Sequence, residues 1–252
     1  MRKFNTIYYL LFILLVMGAF ASMAQNSYGL KIMGAVAFIF GLLFFIEFIS
    51  TLQEKGKKHI YRIIEPVCLL LLSVIFAFRV FYIYFSFVEV LFATAGTILA
   101  LIYTGKMILR YRNMRPKNST LAMLILIFHL SIILFLVSLV IVPFAQKISE
   151  ITGIIAFILL LIFIITSLFK KNLLVEGEIV SPIKVVTHFK DHSIIIVSLF
   201  LLFSLYVGFN KTGLIPGIYS DEFPQAYYKL VEDAASKNEK PVDGKYNYEK
   251  FK

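Results

Sequence analysis

The sequence predicts an all-α fold, a polytopic integral membrane bundle of about seven spanning helices. Of its 252 residues, 60% are hydrophobic and only 16% are charged, whereas soluble domains average about 25% charged residues. The apolar residues form long blocks, and several blocks reach the roughly 20 residues that a spanning helix needs. Strands of a membrane barrel would instead alternate apolar and polar residues over about 10 positions.

The apolar blocks define a predicted transmembrane domain over residues 1–209. Its seven predicted spans cover residues 4–24, 30–49, 63–85, 88–109, 120–142, 151–169 and 192–209. Residues 1–24 also resemble a cleaved signal peptide, because a small-x-small sequence ends at Ala24. We expect this block to be retained as a span, since several further spans follow it.

Small residues four positions apart predict which spans pack closely. Ala37 and Gly41 form such a pair in the second span, and Gly96 and Ala100 form one in the fourth. Because this spacing lets helix backbones approach each other, the second and fourth spans are expected to be in contact. The longest connection, residues 172–191, contains a β-prone run over 184–187.

The distribution of basic residues predicts the orientation of the spans. Fifteen Lys and Arg residues flank the spans on the side of the amino terminus, and two, Lys31 and Lys147, lie on the opposite side. Cytoplasmic connections carry the excess of Lys and Arg, so the amino terminus is expected inside and the carboxyl terminus outside. The Lys-, Ile- and Asn-rich composition suggests a bacterial source and therefore the inner membrane.

Arg79 and Glu89 stand out as charges within the third and fourth spans. Because an arginine at the centre of a span costs about 2.5–3.5 kcal/mol, such a charge is a candidate functional group. Both residues lie towards the outer ends of their spans, where a salt bridge between them is expected to hold a helical hairpin. The alternative is a ligand or ion site that also includes Tyr82 and Tyr84.

Three further titratable residues within spans are candidates for a functional role, namely Glu47, Glu65 and His129. A carboxylate in the first turn of a helix complements the helix dipole, and His129 is expected to form a hydrogen bond with a neighbouring helix. The alternative role for these three residues is a proton or cation relay. Haem is held by axial ligands, and His129 has no second histidine at its depth, so no cofactor is predicted.

His188 and His192 are four residues apart, a spacing that can direct two imidazoles to one metal. The glutamate of an HExxH motif is missing, so solvated histidines and no metal site are expected. The chain also lacks a GxxxxGK[ST] phosphate loop, a GxSxG elbow and a TVGYG filter. The net charge of +10 lies largely in short connections, which predicts contact with membrane lipids and not with nucleic acid.

Residues 210–252 form a polar tail with seven lysines, seven acidic residues and five tyrosines. An amphipathic stretch in it carries Tyr227, Leu230 and Val231 on one side, and the tail is too short to bury a core of its own. It is therefore expected to become ordered on a protein partner.

The leading functional hypothesis is a non-enzymatic scaffold or subunit of a membrane or envelope complex, which presents its tail to a partner. One alternative is a small-solute or ion transporter or channel that uses Arg79 and Glu89. A lipid-modifying enzyme with Glu89 as its general base is the third hypothesis.

Overall fold

The computed structural model of the chain describes residues 5–23, 27–54, 60–81, 83, 87–142, 144–175, 177–189 and 191–211. Its helices are α1 (Asn5–Met23), α2 (Ser27–Gln53), α3 (Ile60–Val80), α4 (Val88–Met114), α5 (Ser119–Ile141), α6 (Gln146–Phe169), α7 (Pro182–Thr187) and α8 (Ser193–Lys211). Two short strands, β1 (Leu173–Val175) and β2 (Glu178–Val180), form an antiparallel hairpin between α6 and α7. The prediction of an all-α fold is thus confirmed.

Among the described residues, five helices, α2 to α6, are long and apolar enough to cross a membrane, which makes the chain a multi-pass membrane protein. Shorter apolar stretches, Thr6–Ala21 and Ser193–Leu205, lie where the first and seventh spans are predicted. Several helices extend beyond their apolar blocks, because polar residues in the interfacial region continue the backbone hydrogen bonding. For example, α4 continues five residues past the predicted end of the fourth span, to Met114.

The helices α1 to α6 pack chiefly against their neighbours in sequence. The last helix, α8, joins them through Phe200, whose ring stacks on Phe135 of α5 at 4.3 Å and meets Phe157 of α6 edge to face. The second half of α2, the start of α3, the last turns of α4 and the start of α8 meet at one end of this bundle, where Glu47 contacts His192 and Lys106 contacts Glu65. We call it the basic end, because it carries most of the basic connecting residues.

Small residues do bring helices close together, but not the pair of helices that the sequence suggested. A Cβ atom added at Gly96 of α4 would lie 2.6 Å from Cγ2 of Val140 in α5. One added at Gly41 of α2 would lie 3.4 Å from Cγ2 of Val74 in α3. The expected contact between the second and fourth spans is therefore replaced by two contacts between consecutive helices.

The connection between α6 and α8 also differs from its predicted structure. The β-prone run over 184–187 belongs to helix α7, because Pro182 occupies the first turn after Ser181 and favours helix initiation. The strands instead form ahead of it, on either side of a turn in which Gly177 has a φ of +89°. Such a positive φ favours glycine over every other residue.

The close approach of α4 and α5 makes a testable prediction about Gly96. We expect Gly96→Ala to lower the free energy of unfolding by about 1–3 kcal/mol, because the new methyl group overlaps Val140 in a packed interface. A Cβ at Gly105, in the same helix, would meet nothing within 4 Å. Gly105→Ala is therefore the matched control, and it should be neutral or stabilise the helix by up to about 1 kcal/mol.

Reversible unfolding in detergent measures both effects. Val140→Ala in the Gly96→Ala background should restore part of the loss, because it removes the atom that the new Cβ meets. Equal effects of the two glycine substitutions would contradict the close contact between α4 and α5.

Candidate functional site

A buried ionic network lies at the basic end of the bundle and joins segments that are far apart in sequence. We define the ionic network as Glu47, Glu65, Lys106, Arg110, His129, Asp191 and His192. These residues come from α2, α3, α4, α5 and the segment just before α8. Aromatic rings of the bundle core contact the two histidines of the ionic network, Phe44 at His192 and Phe128 at His129.

The centre of the ionic network is the ammonium group of Lys106. Its Nζ atom lies 2.7 Å from Oε2 of Glu65 and 3.1 Å from Oδ2 of Asp191. All three side chains are at most 7% exposed. Because a buried charge is tolerated only when it is paired, the two carboxylates and the ammonium hold α3, α4 and the segment before α8 together.

The other carboxylate oxygen of Glu65 accepts two further hydrogen bonds. The hydroxyl of Tyr103 donates to Oε1 at 2.7 Å, and the backbone N–H of His192 donates to the same atom at 3.1 Å. With Lys106 on Oε2, both oxygens of Glu65 have partners. This saturation explains how a carboxylate is accommodated in the second turn of an apolar helix.

His192 links two carboxylates from different helices. Its Nε2 atom lies 2.6 Å from Oε2 of Glu47, and its Nδ1 atom lies 3.3 Å from Oε1 of Glu65. Each ring nitrogen of His192 faces a carboxylate oxygen, and both nitrogens can donate hydrogen bonds only when both carry a proton. An imidazolium at His192 also balances the charge, since the ionic network contains three carboxylates and two permanently basic side chains.

The guanidinium of Arg110 extends the ionic network to α5. Its Nη2 atom donates to Oδ2 of Asp191 at 2.8 Å, and Nη1 lies 2.7 Å from Nε2 of His129. Arginine only donates hydrogen bonds, so Nε2 of His129 accepts. Its Nδ1–H donates to the carbonyl of Ile125 at 2.8 Å. The two contacts together assign a neutral His129 with its proton on Nδ1.

Asp191 precedes the last apolar helix and lies outside the spans. Burial raises the pKa of its carboxyl, but the charges of Lys106 and Arg110 and the hydrogen bond from Ser193 outweigh burial and lower the pKa below its usual range. The Ser193 hydroxyl and backbone N–H both donate to Oδ1. Asp191 therefore remains a carboxylate that both caps the start of α8 and neutralises two basic side chains.

The structure brings the three predicted relay residues Glu47, Glu65 and His129 into this one network. Glu47 also accepts a hydrogen bond from the Tyr8 hydroxyl at 2.9 Å, which joins α1 to the same site. The role predicted for Glu47, Glu65 and His129, the movement of protons or cations, stays a prediction.

Arg79 and Glu89 lie elsewhere, and both side chains are exposed. The guanidinium of Arg79 lies 5.6 Å from the centre of the Phe92 ring, and no ion pair joins it to Glu89 in the part of the chain that the structure describes. The other residues assigned to this predicted site, Tyr82 and Tyr84, lie outside the described residues. So do the tail residues Tyr227, Leu230 and Val231.

The two histidines considered for metal binding have different environments. His188 is exposed and its Nδ1 atom contacts the carbonyl of Lys184 at 2.6 Å, whereas His192 is buried between carboxylates. Among the described residues, no three His, Cys, Asp or Glu side chains are grouped to hold a metal. At the centre of the ionic network the positive charge comes from Lys106 instead.

Sequence reasoning missed Lys106, Arg110, Tyr103 and Asp191 as members of the site. The signal for Lys106 was present, because it falls inside the predicted fourth span, as Arg79 does in the third. Asp191 is also the single aspartate outside the tail. Arg110 resembles the other basic residues of its connection, and nothing in the sequence distinguishes it from Arg112.

The pairing of Lys106 with two carboxylates predicts a large effect of its removal. We expect Lys106→Met to lower the free energy of unfolding by about 3–5 kcal/mol, because it leaves Glu65 and Asp191 buried without their shared cation. The control is Lys170→Met, which removes an exposed lysine at the same end and should change stability by less than about 0.5 kcal/mol.

Reversible unfolding in detergent gives both values, and a double variant tests the pairing itself. Glu65→Gln should be less damaging in the Lys106→Met background than alone, with a coupling of about 0.5–3 kcal/mol. Additive losses from the two substitutions would show that Lys106 and Glu65 do not depend on each other.

Comparison of the chain with protein-family models, with curated proteins and with solved structures finds no match. The functional assignment therefore rests on the residues themselves. The ionic network, the apolar helices and the distribution of exposed charge are the features that carry it.

Proposed function

We propose that this protein is a non-enzymatic membrane scaffold, a subunit of a membrane complex that presents residues 210–252 to a protein partner. In this proposal α1 and α8 are also spans, which gives seven crossings. The amino terminus and the basic end then face the cytoplasm, and the tail lies on the opposite side of a bacterial inner membrane.

The proposed topology is supported by helix length and by charge. The helices α1 and α8 have 19 residues each, or about 28 Å at 1.5 Å per residue. This length is close to the roughly 30 Å thickness of the hydrocarbon core. The basic residues near the ends of α2, α4 and α6 outnumber those at the opposite end, which favours a cytoplasmic basic end.

The observation that supports the scaffold proposal is that the charged groups of the ionic network pair with one another. Lys106 pairs with Glu65 and Asp191, and Arg110 pairs with Asp191 and His129. Side chains that bind or transfer a substrate need free donors or acceptors that face an accessible cavity. Two grooves on the surface of the described bundle are lined by residues outside the ionic network. A saturated network supports a fixed helix arrangement, which suits a scaffold.

The scaffold proposal predicts a partner that depends on the tail. We expect the full-length protein, purified in mild detergent, to retain a stoichiometric partner that is lost when the chain ends at Phe209. The matched control is a full-length chain whose residues 210–252 are scrambled, which keeps the tail's composition and balanced charge. Mass spectrometry of the purified complexes identifies the partner. Equal recovery of the same partner with all three chains would contradict the proposal.

A second candidate function is proton-coupled transport, and the order of titratable groups in the ionic network favours it. Contacts lead from Glu47, which is partly exposed, through His192 and Glu65 to Lys106. They continue through Asp191 and Arg110 to the buried His129. Chains of Asp, Glu and His side chains within a membrane mark the proton relays of pumps and transporters.

Proton uptake into proteoliposomes separates the two functions. With an imposed membrane potential and an enclosed pH-sensitive dye, the scaffold proposal predicts the same slow uptake as in protein-free vesicles. Transport through the ionic network would instead give faster uptake that Glu47→Gln abolishes and Glu89→Gln leaves unchanged. Glu89 is the matched control, because it is a carboxylate outside the network.

A further inference from the structure

The last turns of α4 and its C-cap residue, Arg115, carry basic side chains with two different environments. Lys106 and Arg110 lie one turn apart on the face that enters the ionic network. Arg112 and Arg115 lie three residues apart and are exposed, because successive residues of a helix are rotated by about 100°. Neither of these two arginines forms an ion pair with any residue that the structure describes.

Arg112 and Arg115 line a groove together with Tyr111 and Pro116. The groove has a volume of about 450 Å³. The guanidinium of Arg115 lies 5.9 Å from the centre of the Tyr111 ring, which is an attractive arrangement that limits its motion. Two guanidinium groups that no described carboxylate pairs with, next to an aromatic ring, create a site of concentrated positive charge.

The position of the groove along α4 corresponds to the lipid headgroups. With 27 residues, α4 is about 40 Å long at 1.5 Å per residue, whereas the hydrocarbon core is about 30 Å thick. The basic residues follow the apolar block, which ends at Leu109, so the excess length allows the last turn of α4 to extend into the interfacial region. Tyrosine is enriched at this depth, and arginine binds phosphate through paired N–H donors.

The hairpin next to the groove has an exposed surface that suits the same environment. The side-chain amide of Asn118 donates to the carbonyl of Leu174 at 3.0 Å, which holds β1 near the connection between α4 and α5. Leu174 and Ile179 are cross-strand partners, and both are more than 60% exposed. An apolar pair on a polar connection is stabilised when it contacts the acyl boundary of a leaflet.

We propose that this groove binds the phosphate headgroup of an anionic phospholipid from the leaflet at the basic end. Arg112 and Arg115 donate to the phosphate oxygens, and the ring of Tyr111 packs beside the glycerol backbone. The inference goes beyond the scaffold function and does not depend on the tail or on the ionic network.

Native mass spectrometry of the full-length protein in detergent tests the site with two lipids that share acyl chains, phosphatidylglycerol and phosphatidylethanolamine. We expect one phosphatidylglycerol to bind in preference to phosphatidylethanolamine. Arg112→Gln with Arg115→Gln should weaken phosphatidylglycerol binding about 30-fold, since a basic residue near a membrane contributes about 1 kcal/mol. If a thermal melt shows that the double variant does not fold, the two single variants are used instead. Each should bind phosphatidylglycerol about fivefold more weakly than the wild type.

The control pair is Lys170→Gln with Lys171→Gln, which removes the same charge at the same end from residues that do not line the groove. This variant should bind phosphatidylglycerol as the wild type does. Equal losses in the two double variants would overturn the proposal in favour of diffuse attraction. So would equal binding of the two lipids. If glycerol 3-phosphate, which has no acyl chains, binds as tightly as phosphatidylglycerol, the groove serves a soluble phosphate and the lipid assignment is wrong.

Discussion

The contact of Lys106 with Glu65 and Asp191 is the interaction on which the helix arrangement depends. Most described helices pack against their neighbours in sequence, and α8 contacts α5 and α6 through the aromatic ring of Phe200. The ionic network supplies further long-range contacts, because Glu47 meets His192 across 145 positions and Arg110 meets Asp191 across 81. A single ammonium thus connects the first half of the chain to its last helix.

Polar contacts determine the helix arrangement because apolar packing in a membrane discriminates poorly between alternative arrangements. Lipid tails are as apolar as the side chains they replace, so apolar burial provides little force for helix association. A wrong pairing of these helices would leave Glu65 or Asp191 without a cation in a medium where an unpaired charge is costly. The buried charges therefore penalise other arrangements more than they stabilise the native one.

The helices could be predicted from the sequence, and most of the site could not. Blocks of apolar residues predict α2 to α6, because a span requires about 20 of them. Glu47, Glu65 and His129 were identified singly as titratable residues within spans. Their partners could not be assigned, because a contact between residues far apart in sequence depends on which helices pack together. The β-prone run over 184–187 is helical, because Pro182 starts a helix there.

The basic residues of α4 act during membrane insertion and again in the folded protein. Their number in the sequence therefore does not give the positive charge on the folded surface. During insertion each span presents unpaired side chains, so Lys106 and Arg110 contribute to orientation with Arg112 and Arg115. After folding, Asp191 contacts both Lys106 and Arg110, and their charge no longer acts on the surroundings. The positive charge that remains on this helix lies on Arg112 and Arg115. The proposed selectivity for anionic lipid would therefore depend on the folded bundle and not on the number of basic residues in the sequence.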